Sequence, residues 1–192
     1  MLFKKEFKTD KPHSGFWSKL YMTPKQRKSL LKWTLYSMLL LALSLLQDVV
    51  LCRYRINGAT TELVPVGIFL ICILEGAENG SVFTLISSLV YLFSGTAAGP
   101  YSMVLITVLA IAVSILRQAY LQKGIGAAFV CILLAMLCYE LLQFCMGLFL
   151  GYTFPKRIIG FLITAGLSML AVPILYPIAL SIEKIGGETW KE

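Results

Sequence analysis

The chain has 192 residues and a net charge of +7; 58% of its residues are hydrophobic and 14% are charged. Its mean hydropathy is +0.79. A soluble domain carries about 25% charged residues and shorter apolar runs. The composition therefore excludes a soluble globular domain. It indicates an integral membrane protein, because several runs approach the ~20 apolar residues that cross ~30 Å of hydrocarbon.

The positive charge is concentrated near the N-terminus, where nine of the 17 basic residues lie within the first 32. Beside a membrane span, such a cluster indicates a cytoplasmic flank rather than a nucleic-acid site. We expect residues 1–29 to form a basic cytoplasmic tail. It would contain an amphipathic segment, "GFWSKLYM", lying in the membrane interface. Residues 183–192 should form a second, short cytoplasmic tail.

Between the tails, residues 30–182 predict an all-α polytopic membrane domain of about six helices. The apolar segments cover about 30–51, 63–74, 81–93, 100–116, 124–151 and 158–180. The second and third cover only about 18–20 Å as helices, so they are either short spans or the two arms of a re-entrant pair. Pro173 and Pro177 should bend the last helix near its end.

The distribution of basic residues predicts the orientation. With six spans and the N-terminus inside, 13 of the 17 basic residues lie on the cytoplasmic side. The other four are Arg53, Arg55, Lys156 and Arg157. The positive-inside rule therefore predicts that both termini are cytoplasmic. The count is the same with four spans, so charge does not decide between short spans and a re-entrant pair.

Glu140 lies deep in the longest apolar run, within "CYELLQFC". A carboxylate at that depth costs about 2.5–3.5 kcal/mol on insertion scales, so it should face the helix bundle. A proton or ion relay would need further ionisable groups at membrane depth, and the sequence offers almost none. An interhelical hydrogen bond, or a bond to a partner protein, is the preferred role, followed by a ligand site.

The remaining candidates are structural. Asp48, near the end of the first span, should lie at the interface beside Arg53 and Arg55. Gly147 and Gly151 form a G-x-x-x-G, which is typical of close helix packing.

The sequence shows no catalytic pairing or phosphate loop, and we expect no enzyme activity. Cys131, Cys138 and Cys145 repeat every seven residues, as a helix-packing stripe does. Cys138 and Glu140 are about 200° apart around a helix, so they do not share a face. We therefore expect no metal site and no cofactor.

Two motifs occupy the middle of the chain. "SSLVYLFSGTAAGPYSM" ends an apolar run in a turn with Ser94, Gly95 and Gly99, and "YELL" at 139–142 lies in the fifth segment. With the basic N-terminus and the order of long and short segments across about residues 30–182, they resemble the rod shape-determining protein MreD family of bacteria. The resemblance implies structural positions for Ser94, Gly95, Gly99 and Glu140.

Two features depart from that family. Tyr91 stands where the family usually has an acidic residue before the Ser-Gly turn. Glu62 precedes Pro65, where the family has a Pro-Asp pair.

The resemblance implies a non-catalytic scaffold of the cell-elongation machinery in the bacterial cytoplasmic membrane. Such a scaffold would work with MreC, the actin-like MreB and peptidoglycan-synthesising enzymes. The family's fold is similar to that of the substrate-binding S components of energy-coupling-factor vitamin transporters, which is the alternative function.

The first segment lacks the Ala-x-x-x-Ala motif of those transporters: Met38 and Leu46 flank Ala42. Tyr91, Tyr101 and Tyr152 are the groups that could line a small-molecule pocket under this alternative. A lipid-processing membrane enzyme would need ionisable residues gathered at one membrane face, and the sequence does not predict such a cluster.

Overall fold

The computed structural model describes residues 24–53, 59–120 and 124–185. Within these ranges the chain is almost entirely helical and has no β-strand. Its helices are α1 (Pro24–Leu45), α2 (Leu63–Phe93), α3 (Pro100–Tyr120), α4 (Ile125–Phe149), α5 (Ile158–Met169) and α6 (Val172–Ile185). A π-helical turn (Leu46–Val50) and a 3₁₀ turn (Leu51–Arg53) extend α1, and a second 3₁₀ turn (Pro155–Arg157) leads into α5.

Four of these helical stretches are long and apolar enough to cross a membrane, and the bent pair of α5 and α6 provides a fifth if it crosses once. The prediction of an all-α protein with several spanning helices is confirmed. Helix α1 starts at Pro24, so a polar stretch of helix precedes the first apolar segment. The predicted interfacial segment around residues 15–22 lies outside the described residues.

Helix α2 is a hairpin of two arms, residues 63–75 and 77–93. The chain reverses at Gly76, whose φ of 84° and ψ of 171° are essentially restricted to glycine. A Cβ atom on Gly80 would lie 2.9 Å from both the Cα and the carbonyl oxygen of Cys72. Residues eight apart in a straight helix are separated by about 12 Å, so this approach requires two helices packed side by side. Each arm covers roughly 20–25 Å, slightly more than the about 18–20 Å of the two short apolar segments.

The first arm occupies the centre of the bundle, and every residue from Leu63 to Gly76 is buried. In the most apolar window of α2, 83% of residues are buried, compared with 22% in α1 and 28% in α3. A helix that is apolar on all sides belongs in a core, whereas the outer helices present leucine-rich faces to lipid. We call the end of the bundle near Gly76 the turn end and the opposite end, near residues 62 and 94, the open end.

At the open end, side chains from other helices satisfy the first amides of α2. Gln47 Oε1 accepts hydrogen bonds from the amides of Leu63 (2.8 Å) and Val64 (3.0 Å). Ser168 Oγ accepts one from the Glu62 amide at 2.8 Å. Pro65, the next residue, has no amide hydrogen. The unpaired donors that begin any helix are therefore all accounted for, which a buried helix requires.

The last span is bent beside Pro173, as predicted, and its regular helix is interrupted there. Helices α5 and α6 meet at 48°, and the break lies between Met169 and Val172. The ring of a proline clashes with the carbonyl four residues earlier, so Pro173 ends regular helix at Met169. Pro177 lies inside α6.

Candidate binding cavity

A cavity of about 700 Å³ opens among the loops and helix ends of the open end. This volume is within the range of small-molecule sites. The residues before α2, the turn before α3, helix α4, the loop after it and α5 all contribute to its wall. Its polar lining consists of Thr60, Glu62, Tyr101, Glu140, Gln143, Tyr152, Thr153, Lys156, Arg157 and Thr164.

Glu140 forms part of the cavity wall and is 2% exposed. It projects from α4 one helical turn before Gln143, which is 4% exposed and lines the same cavity. Tyr139 is fully buried and packs edge-on against Phe69 of the central arm, with the ring centroids 6.3 Å apart. The carboxylate therefore faces the bundle interior, as its cost in hydrocarbon predicts.

Glu62 is the second carboxylate of the cavity. It is the residue before α2, and its side chain does not cap the helix. Because Gln47 and Ser168 satisfy the amides there, the Glu62 carboxylate is left to face the cavity. Burial raises the pKa of the Glu62 carboxyl from its ordinary value of 4.5 to about 7. Glu62 and Glu140 lie within electrostatic reach of each other.

Several buried polar atoms around the cavity have no hydrogen-bond partner among the described residues. They are Glu62 Oε2, Tyr91 Oη, Tyr139 Oη, Glu140 Oε1, Gln143 Nε2 and Thr153 Oγ1. Tyr91 and Tyr139 both lie within electrostatic reach of Glu62 and Glu140. Leaving a buried donor or acceptor unpaired costs about 1–3 kcal/mol, so proteins keep such groups mainly where another molecule satisfies them.

Two cations stand at the edge of this cavity. Lys156 and Arg157 belong to the 3₁₀ turn between α4 and α5, and both are exposed. They and the two glutamates are the charged side chains among the described residues that line the cavity. Positive charge at the exposed rim and carboxylates in the buried wall can hold a molecule that carries both signs of charge.

The interhelical hydrogen bond preferred for Glu140 is absent among the described residues, where Glu140 Oε1 is unpartnered. Tyr101 and Tyr152 line the cavity, and Tyr91 lies near its glutamates. The three tyrosines assigned to a pocket under the transporter alternative are thus all at the open end.

The predicted turn residues lie between α2 and α3, in the segment that contributes Ala98 to the cavity wall. Ser94 Oγ donates to the Tyr91 carbonyl at 2.7 Å, and Gly95 has a φ of 79° that favours glycine. The Gly99 carbonyl accepts a hydrogen bond from the Ser102 hydroxyl at 2.6 Å, within the first turn of α3. The three positions shape the turn between α2 and α3.

Gly147 lies in the last turn of α4 and Gly151 in the loop that follows, and their expected helix packing stays a prediction. A Cβ on Gly147 would lie 2.7 Å from Thr153 Oγ1, in the loop that follows α4. Gly151 has a φ of 74°, and nothing lies near the position of its Cβ. These residues end the helix and fold the loop back over the cavity.

Asp48 lies in the π-helical turn after α1 and accepts a hydrogen bond from Ser44 at 3.4 Å. Among the described residues it forms no ion pair with Arg53, and Arg55 lies outside them. Its expected position beside both arginines stays a prediction.

A second polar cluster, at the turn end, was not predicted. Lys32 Nζ donates to Glu75 Oε2 at 2.6 Å, and this ion pair is buried. Arg117 donates to the Ile73 carbonyl at 2.7 Å and Ser114 to the Cys72 carbonyl at 3.2 Å. These bonds satisfy carbonyls that end the first arm of α2, and the cations match the negative end of its dipole.

The sequence signal for this cluster is the polar interruption "EGAENG" and the position of Lys32 and Arg117 at the ends of long apolar runs. Gln47, the cap of α2, also went unrecognised. It is a polar residue inside an apolar run, as Glu140 is. Polar residues in such runs have a partner or a function.

No family model matches the sequence, and neither a curated protein nor a solved structure is significantly similar to it.

Proposed function

We propose that this chain is a non-catalytic, multi-pass scaffold of the bacterial cell-elongation machinery, in the cytoplasmic membrane with both termini inside. The resemblance of residues 30–182 to the MreD family supports this proposal. In this orientation the open end and its cavity face outward, and the turn end with Lys32 and Glu75 faces the cytoplasm.

One observation carries the proposal. Ala98, in the glycine-rich turn of one motif, and Glu140, in "YELL", are 42 residues apart in the sequence, yet they line the same cavity. Tyr91, which precedes the turn, is within electrostatic reach of Glu140. Motifs that are short and apolar in the sequence thus share one place in the fold, as the common core of a family would.

The scaffold proposal is tested by its partners. The tagged full-length chain would be purified in mild detergent from its native membranes, and the proteins that accompany it identified by mass spectrometry. We expect MreC, or a peptidoglycan synthase, to be recovered in amounts comparable with the tagged chain. Recovery of neither from membranes that contain both would overturn the proposal.

A second candidate is the S component of an energy-coupling-factor transporter, favoured by the 700 Å³ cavity and its unpartnered polar lining. It predicts that the same purification recovers a transmembrane coupling subunit with paired ATPases. The two functions therefore give different partners in one experiment.

A further inference from the structure

The negative and positive side chains of the cavity lie at different depths. Glu62 and Glu140 lie in its wall beside buried tyrosines, whereas Lys156 and Arg157 lie at its exposed rim. We propose that the cavity binds a small zwitterion, with its cationic nitrogen against Glu62 and Glu140 and its carboxylate or phosphate against Lys156 and Arg157. The inference goes beyond the scaffold function and does not depend on it.

The buried wall is built to receive hydrogen-bond donors. Glu62 Oε2 and Glu140 Oε1 are both unpartnered acceptors, and no described cation bonds to either. An ammonium or guanidinium group supplies several N–H donors and the positive charge that two neighbouring carboxylates lack. Gln143 Nε2 and the Tyr139 hydroxyl, also unpartnered, add hydrogen-bonding groups beside them.

The rim supplies the opposite charge. Lys156 and Arg157 follow one another on a short 3₁₀ turn, and no described acid forms an ion pair with either. An arginine guanidinium binds carboxylates and phosphates through paired hydrogen bonds, and a lysine adds a mobile point charge. The rim therefore favours an anionic group that stays close to solvent.

The separation of the two regions indicates an extended molecule. Glu140 and Gly147 both line the cavity on α4, and seven residues of helix cover about 10 Å. The rim cations lie in the loop beyond Gly147. A ligand that reaches both regions needs its charges several bonds apart, as in an amino acid with a cationic side chain.

Glu75, at the turn end, shows that a buried acid in this fold can have a cationic partner, although its Oε1, like Glu140 Oε1, has no hydrogen-bond partner among the described residues. Glu75 has a lysine partner at 2.6 Å, while Glu140 has none among the described residues. A site kept open for a ligand explains this difference.

The ligand can come from solution or from the membrane, because an aminophospholipid headgroup also joins an ammonium to a phosphate. Native mass spectrometry of the detergent-purified full chain separates the two sources. The soluble probes would be L-arginine, agmatine, which lacks the carboxylate, and L-citrulline, which lacks the side-chain cation. Phosphatidylethanolamine would be the lipid probe. L-arginine tests whether the cavity recognises a cation and a carboxylate in one molecule. It does not test whether the shape of a ligand matches the cavity, which has room for a larger molecule.

We expect L-arginine to bind at least tenfold more tightly than agmatine or L-citrulline. Glu140→Gln and Glu62→Gln should each weaken its binding at least tenfold, while Glu78→Gln, at an exposed site in the hairpin turn, should not. The double variant Lys156→Ala/Arg157→Ala should abolish the preference for L-arginine over agmatine, and Lys184→Ala should leave it intact. An aminophospholipid adduct that L-arginine displaces, and that Glu140→Gln removes, would support the site with a lipid as its source.

The proposal fails if neither L-arginine at millimolar concentration nor the lipid binds. It fails equally if binding is unchanged in both Glu140→Gln and Glu62→Gln, each verified as folded by size-exclusion chromatography. Because partner recovery is measured separately, loss of ligand binding leaves the scaffold proposal standing, and loss of the partners leaves the cavity proposal standing.

Discussion

Two buried glutamates occupy opposite ends of the same bundle, and only one of them has a cationic partner among the described residues. Glu75, at the turn end, has its carboxylate 2.6 Å from Lys32. Glu140, at the open end, is buried to a greater extent and has no cation partner among the described residues, while one oxygen of each carboxylate is unpartnered. The comparison distinguishes Glu75, whose ion pair stabilises the fold, from Glu140, whose carboxylate is available to a ligand.

The rest of each end follows the same division. At the turn end, Arg117 and Ser114 bond to carbonyls of the first arm, so the polar side chains there stabilise the hairpin. At the open end, Gln47 and Ser168 cap the helix instead. Their bonds to the backbone release the Glu62 carboxylate to the cavity.

Removing Lys32 should have the largest effect. Lys32→Met leaves the Glu75 carboxylate buried without its cation, which we expect to destabilise the protein by about 3–5 kcal/mol. The double variant Lys32→Met/Glu75→Leu removes both charges and should recover much of that loss. Thermal unfolding in detergent measures both. If the double variant were as unstable as the single one, the ion pair would not be the cause.

The hairpin turn comes next. Gly76→Ala forces a side chain into a φ of 84°, which should cost about 1–3 kcal/mol. Gly124→Ala is the control, since nothing lies within 4 Å of its Cβ position and its φ of −176° is open to any residue. Equal melting temperatures for the two variants would contradict the assigned role of Gly76.

A methyl group on Gly147 should narrow the cavity. Its Cβ would lie 2.7 Å from Thr153 Oγ1, so the loop must shift, and overpacking of this kind costs about 1–3 kcal/mol. Gly166→Ala, which meets nothing within 4 Å, should gain up to about 1 kcal/mol from helix propensity. We expect Gly147→Ala alone to reduce ligand binding in the native mass spectrometry experiment.

Glu62 should make stability depend on pH. Its folded-state pKa of about 7 lies above its ordinary value of 4.5, so the folded state holds the extra proton between these values. Stability of the native sequence should therefore fall as the pH rises from about 4.5 to about 7. Glu62→Gln cannot lose a proton there, so it should melt a few degrees higher than the native sequence at about pH 8 and alike near pH 4.5. If the difference in melting temperature between Glu62→Gln and the native sequence were the same at every pH in this range, packing rather than titration would be its cause.

The smallest effect on stability should come from Glu140 itself. Glu140→Gln keeps the shape and a hydrogen-bonding group, and we expect a change within about 1 kcal/mol, because no partner is lost. Glu140→Leu should be tolerated less well, since a leucine offers no hydrogen-bonding group to the polar side chains of Gln143 and Tyr139 beside it. If Glu140→Gln lowered the stability as much as Lys32→Met does, Glu140 would be as important to the fold as the ion pair, and the proposed difference between the two ends would be wrong.

Much of the architecture could be predicted from the sequence. Apolar length and the placement of lysines and arginines indicate a membrane protein, and the segment boundaries fall within a few residues of the helices except at Pro24. The run "LVPVGIFLICIL" is apolar on every side, which is typical of a buried helix. The glycines at 76 and 95 stand where the backbone takes positive φ values.

The sites depended on contacts between distant residues. Lys32 and Glu75 are 43 residues apart, and Glu62 and Ser168 are 106 apart. Apolar periodicity gives the face of a helix but not the helix it meets, so Glu140 was expected to bond to a neighbour and Glu62 was treated only as a departure from a motif.

The sequence by itself determined that this chain resides in a lipid bilayer. The free energy of moving an apolar segment into lipid is a sum of contributions from its consecutive residues, so it can be read from the sequence. The tertiary structure decided which polar residues are partnered. Hydrogen bonds and ion pairs require atoms to meet at about 3 Å, and only the packing of the hairpin against its neighbours sets those distances. The same folding step that joins Lys32 to Glu75 leaves Glu62 and Glu140 facing an open cavity.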